Sequence, residues 1–141
     1  GYDAGSNSNH ETASDKLVIA NSNTTTPLID GDFDAATLKV NGSLEVTGSY
    51  INSVSSTQDI TASGQDISVT GPVIPLSTNL GYNPHSLTLS NGSKNGQRLT
   101  LINTSEQVLS IAVNPTDGAA QIGRGYAMDF IWYSDNWYSV H

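Results

Sequence analysis

Apolar and polar residues alternate along much of this chain, and four short stretches share one form: residues 38–42 (Leu-Lys-Val-Asn-Gly), 44–48 (Leu-Glu-Val-Thr-Gly), 60–64 (Ile-Thr-Ala-Ser-Gly) and 67–71 (Ile-Ser-Val-Thr-Gly). Period-two alternation places successive side chains on opposite faces of an extended strand, and the closing glycine marks a turn. Each copy therefore predicts a brief β-strand. One such strand offers only two apolar side chains to a core, so the copies need neighbours, in the same chain or in identical ones. They recur at offsets of six, 16 and seven residues, an irregularity that argues against a single-chain solenoid with rungs of fixed period. Three chains wound about one axis escape that constraint. Leu38, Val40, Leu44, Val46, Ile60, Ile67 and Val69 are then the residues expected along a trimer core. The alternative is that these are strands of an ordinary monomeric sandwich.

Elsewhere the pattern predicts a polar arm over residues 1–15, a strand over 17–20, a polar turn over 21–26 and a short extended piece at 27–29 ending at Asp30-Gly31. Pro72 and Pro75 flank Val73 and Ile74. Proline cannot donate to a ladder, so a central strand is not expected there, and a domain boundary is placed near residue 76. Beyond it, strands are expected over 86–90, 97–103, 108–113, 128–133 and 137–140, separated by turn compositions at 91–96, 114–118 and 134–136. The resulting expectation is an all-β, elongated homotrimeric fibre: an arm at 1–15, an intertwined repetitive β shaft at 16–75, and an antiparallel β-sandwich-like knob at 76–141.

Composition supports the β reading. Ser, Thr, Asn and Gly supply 59 of 141 residues, whereas Glu and Lys, the best surface helix formers, number three each. The 36% hydrophobic content is low for a self-sufficient core, which again favours self-association. Five basic against 13 acidic residues give a net charge of −8, which disfavours nucleic acid or an anionic membrane as partner. The chain has no cysteine, so disulfides and thiolate chemistry are excluded. No run of 18 apolar residues and no leader pattern occurs, so no membrane insertion is expected. Because the chain opens on Gly1 rather than Met, it is expected to be a piece of something longer.

Candidate chemistry is sparse. Asp30, Asp32 and Asp34 alternate as at the start of a calcium loop, but Ala35 and Asn41 stand where an EF-hand needs Gly and Glu. His10, His85 and His141 show no ligand spacing, although a histidine repeated around a three-fold axis would gather three imidazoles. No metal and no cofactor is called for. Asp117, Asp129 and Asp135 suggest no pairing of the kind glycoside hydrolysis needs, and neither a nucleophile elbow nor a phosphate loop is present; the chain is expected not to be an enzyme. Its densest feature is a run of aromatic residues: Tyr126, Phe130, Trp132, Tyr133, Trp137 and Tyr138 lie within 13 residues. Phe130 and one tryptophan fit a core, whereas Tyr126, Trp132, Tyr133, Trp137 and Tyr138 are candidates for a ligand-binding tip that stacks on sugars or fills protein pockets.

Residues 16–33 running into 38–48, and residues 96–103 together with 129–140, resemble bacteriophage tail fibres and related trimeric virion fibres. The resemblance rests on loose hydrophobic patterns with turns rather than on a catalytic signature. It implies a parallel homotrimer on the virion exterior, with a thin shaft and a broader head that contacts a host-surface polysaccharide or protein, held by other virion proteins. The chain is shorter than a complete tail fibre and shows neither a virion-anchoring domain nor a self-cleaving C-terminal chaperone. A capsid decoration or head-fibre protein therefore remains an alternative, as does a carbohydrate-binding β-sandwich module of a secreted bacterial protein or adhesin.

Overall fold

The computed structural model describes residues 15–81, 84–113 and 118–140, and among these it is all β, with no helix. Residues 1–14 of the expected arm, His10, His141 and Asp117 lie outside the described residues. The chain divides into two compact units, Gly1–Tyr50 and Ile51–His141.

The first unit holds three strands, β1 (Lys16–Ile19), β2 (Ile29–Asp32) and β3 (Thr37–Val40), paired antiparallel in that order. Their register sorts residues cleanly by face. Leu17, Gly31 and Leu38 form one row and Ile19, Ile29 and Val40 the next, all on one face; Lys16, Val18, Asp30, Asp32, Thr37 and Lys39 occupy the other. Glycine at 31 lets the two leucines close over the middle strand, since a Cβ there would lie 3.0 Å from Leu17 Cβ. The turn from β2 to β3 is held by the Ala35 N–H, which donates to Asp32 Oδ1 at 3.0 Å, and carries Ala36 at φ 49°.

The second unit is built from β4 (Gln58–Ile60), β5 (Asp66–Ile67), β6 (Val73–Thr78), β7 (His85–Leu89), β8 (Arg98–Asn103), β9 (Leu109–Ala112), β10 (Ala119–Ile122), β11 (Ala127–Tyr133) and β12 (Asn136–Val140). Successive strands from β4 to β9 alternate between two sheets. β4, β6 and β8 pair parallel in one, while β5, β7 and β9 pair parallel in the other. The chain thus winds through three coils of a two-sheet solenoid. It then reverses: β10 caps one sheet antiparallel to β9, and β11 with β12 caps the other beside β8. Between the sheets lie Ile60, Ile74, Leu76, Leu99, Leu101, Phe130 and Trp132 from one side and Ile67, Leu87, Leu109, Ile111 and Ile122 from the other, all buried.

Several expectations are corrected here. A single chain does form a solenoid: of the four copies only those beginning at Ile60 and Ile67 belong to it, in β4 and β5 of its first coil, so the offsets between all four copies are not its rung spacing. The expected antiparallel knob is a parallel stack with an antiparallel cap. Its compact unit begins at Ile51 rather than near residue 76, since Ile60 and Ile67 are buried in it and Val69 packs against it. Those three residues serve the chain's own core, not a trimer axis.

Pro75 sits inside a central strand, contrary to expectation. On β6, Pro72 and Leu76 accept from Thr100 and Thr104 on the β8 side, whereas the Val73 carbonyl accepts from Ser55 on the opposite side. Residue 75 therefore turns its nitrogen toward the β4 side, where the ladder has not yet begun: β4 joins only at Gln58, opposite Leu76. No hydrogen bond is lost to the missing N–H.

Two glutamines close the first coil. Gln58 donates through Nε2 to the Ser68 carbonyl at 2.6 Å and accepts from the Ser68 N–H at 3.2 Å, while Gln65 accepts from the Thr61 N–H and donates to the Asp59 carbonyl, both at 2.9 Å. Each side chain satisfies backbone groups that the short strands leave unpaired.

Candidate functional site

The aromatic run forms the hairpin of β11 and β12. Its register pairs Trp132 with Trp137 and Tyr133 with Asn136, leaving Ser134 and Asp135 as a two-residue turn, both at positive φ (48° and 61°). That is the primed turn whose twist matches paired strands. The indole rings lie 5.3 Å apart, tilted by 59°, in the edge-to-face range that aromatic pairs favour.

The loop between β7 and β8 folds over these rings. Trp137 Nε1–H donates to the Ser90 carbonyl at 2.9 Å, Ser134 N–H donates to Asn95 Oδ1 at 3.0 Å, and Gly96 N–H donates to the Trp132 carbonyl at 2.8 Å. Trp132 and Trp137 are consequently only 5% and 4% exposed. Both candidates for the binding tip are thereby reassigned as core residues that show only a small part of their surface. Their remaining surface helps to line a shallow cleft of about 180 Å³, together with Thr88, Asn91, Asp135 and Asn136.

The three tyrosines are separated. Tyr133 (59% exposed) stands at the hairpin end and Tyr126 (70%) precedes β11 at the opposite end; seven residues of strand set them about 23 Å apart. Tyr138 is half-buried beside Ile131. No small ligand spans all three.

The expected trimer-core residues also divide. Leu38, Leu44 and Val46 are exposed (64%, 70% and 48%) and Val40 is half-buried in the first unit, while Ile60, Ile67 and Val69 belong to the solenoid. The acidic run is dispersed: Asp30 lies in β2 opposite Lys39, Asp32 pairs with Lys16, and Asp34 is in the turn. Among the described residues no three His, Asp or Glu side chains gather as metal ligands, and His85 is buried at the start of β7. A depression of about 250 Å³ at the ends of β4 and β6 contains one carboxylate, Asp59.

The most ordered polar feature was not anticipated from sequence. Asn103, fully buried at the end of β8, donates through Nδ2 to the carbonyls of Gln107, Ile122 and Gly123 at 2.7, 2.9 and 3.1 Å, and accepts at Oδ1 from Ser105 N–H and Oγ–H at 3.0 and 2.7 Å. It ties the last coil to its cap. A lone asparagine among strand-forming residues carries no signal of that role.

No protein-family model and no curated protein matches this chain. Among solved structures it is similar to StcE(132-251) of enterohemorrhagic E. coli, at 12% identity and a TM-score of 0.37, over 50% of this chain and 64% of that one. It is also similar to a chain in a structure of a chaperone-substrate complex, at 16% identity and a TM-score of 0.44, over 79% of this chain and 18% of that one. The chain thus spans less than two thirds of either relative, and likenesses this distant carry no argument about function.

Proposed function

We propose that this chain is a structural fibre protein of the phage tail-fibre type, on the exterior of a virion, which trimerises and presents its C-terminal unit for attachment to a host surface. One observation carries the reading: the three-stranded sheet of the first unit leaves one whole face apolar. Leu17, Ile19 and Leu38 are 39%, 47% and 64% exposed there, with Phe33 (67%) and Leu28 (54%) nearby. A three-stranded sheet with only half a core gains little from burial on its own, so other copies of the same surface are the economical cover. Trimerisation also multiplies weak attachment sites into useful avidity.

Sedimentation of the wild-type chain and of Leu38→Asp tests this. A trimer that the substitution dissociates supports it; a wild-type monomer contradicts it. The complete core of the second unit favours, as a second reading, a monomeric binding module, for which that monomer would be the expected result.

A further inference from the structure

The second residue of the hairpin turn is held at φ 61°, a conformation that glycine adopts without strain and an L side chain does not. It is nevertheless Asp135, and its carboxylate makes no hydrogen bond or ion pair among the described residues. Strained residues of this kind gather at ligand sites, where the side chain rather than the fold accounts for them. Asp135 lines the shallow cleft at the tryptophan pair, and so does Asn91 of the loop between β7 and β8, whose amide is equally without a bond among the described residues. Two further groups of the cleft are only half used. Asn136 donates through Nδ2 to the Ser134 carbonyl at 3.0 Å, which leaves its Oδ1 to accept. Thr88 Oγ1–H donates to Asp66 Oδ1 at 2.9 Å, which leaves lone pairs on the hydroxyl oxygen.

We propose that this cleft binds one ring of a neutral hexopyranose through its hydroxyl groups. The inference rests on the reading of the second unit as an attachment unit and names what that unit grips. The lining selects the class. Oxygen acceptors outnumber amide donors, so the ligand must chiefly donate, as a ring with adjacent hydroxyls does, and the Asp135 carboxylate accepts two of them at once. Leu89, Val113 and the small exposed part of Trp132 and Trp137 give the cleft an apolar side on which the C–H face of a pyranose can lie. A phosphate or a uronic acid would set a second negative charge beside Asp135, on a chain of net charge −8. A metal ion would meet a single carboxylate in the lining.

Size limits what one cleft does. Its volume of about 180 Å³ is below the roughly 300 Å³ at which small-molecule sites ordinarily begin, which leaves room for a single ring at a chain end or branch. Each contact is weak, and repetition of the unit makes it useful.

Titration of the full chain with methyl α-glucopyranoside, methyl α-mannopyranoside and methyl β-galactopyranoside, followed by heteronuclear NMR, tests this. The chain has two tryptophans, and both line the cleft, so both indole N–H signals report on it. At least one hexoside is expected to shift them together with the side-chain amides of Asn91 and Asn136, with a dissociation constant in about the millimolar range. The uronic acid counterpart of that sugar is expected to bind about tenfold or more weakly. Asp135→Gly relieves the turn and keeps the fold, yet is expected to lose about tenfold or more in affinity. No shift with any of the three sugars, equal binding of the uronic acid, or Asp135→Gly binding like wild type would overturn the proposal. Binding by a chain that sediments as a monomer supports the cleft and sinks the fibre reading, whereas a trimer whose spectrum no hexoside moves keeps the fibre and refutes the cleft.

Discussion

Gly92 and Trp132 approach so closely that no side chain fits between them: a Cβ built on Gly92 would lie 2.6 Å from Trp132 Cδ2 and 2.7 Å from its Cβ. The loop between β7 and β8 can press on the indole only because residue 92 is glycine. Gly92→Ala is expected to lower stability by about 1–3 kcal/mol through overpacking. The urea midpoint should fall and the near-ultraviolet signal of the tryptophan pair should change. An unaltered midpoint would show that the loop does not seal the rings.

Asn103 predicts a larger loss. Asn103→Leu keeps much of the volume but removes the amide's bonds to three carbonyls, of which that to Ile122 is fully buried, and to Ser105, at a cost of about 2–5 kcal/mol. Asn103→Asp is worse at neutral pH, since a carboxylate would face the carbonyls of Gln107, Ile122 and Gly123. Chemical denaturation of both variants checks the order. Asn103→Leu as stable as wild type would refute the role of the amide in joining coil to cap.

How much of this was legible in the sequence depends on the element. Alternation located β7, β8, β9, β11 and β12 to within about a residue or two, and the Ser134-Asp135 turn was visible from its composition. Strand direction was not, because parallel and antiparallel strands share the same period of two. The solenoid stayed hidden for that reason and because two of the four similar motifs belong to the first unit and two to the second. Ile60 and Ile67 look like Leu38 and Leu44 in their local motifs, yet two are buried within one chain and two are exposed; a pentapeptide does not encode the partner of its strand. Trp132 and Trp137 could be read as tip residues only while the loop that covers them was unplaced.

The hairpin turn supplies a prediction of opposite sign. Ser134 and Asp135 both occupy the left-handed region, where an L side chain is strained and glycine is not. Asp135→Gly is expected to raise stability by about 0.5–1 kcal/mol, visible as a higher melting temperature. A lower one would mean that the Asp135 side chain makes a contribution beyond its backbone.

Asp32 and Lys16 give the first unit a pH signature. The hydrogen bond from Lys16, followed by the Ala35 N–H, holds the Asp32 carboxyl below its ordinary value of 3.8, and the same bond raises Lys16 above 10.5. The carboxylate's contribution to folding is therefore complete above the unfolded value near 3.8 and is lost as pH falls through the lower folded value. That of Lys16 is complete below 10.5 and lost as pH rises through its raised value. Both groups lie at the surface, so salt weakens the effect. Carboxyl titration by NMR should show Asp32 returning toward the ordinary range in Lys16→Met; an unmoved titration would dismiss the pair.

The central claim is that the apolar face of β1, β2 and β3 is covered by identical chains. Sedimentation equilibrium of the full chain over a wide concentration range tests it most directly: a species of three times the chain mass, persisting on dilution and lost in Leu38→Asp, is the predicted result. A single folded subunit at every concentration would contradict it.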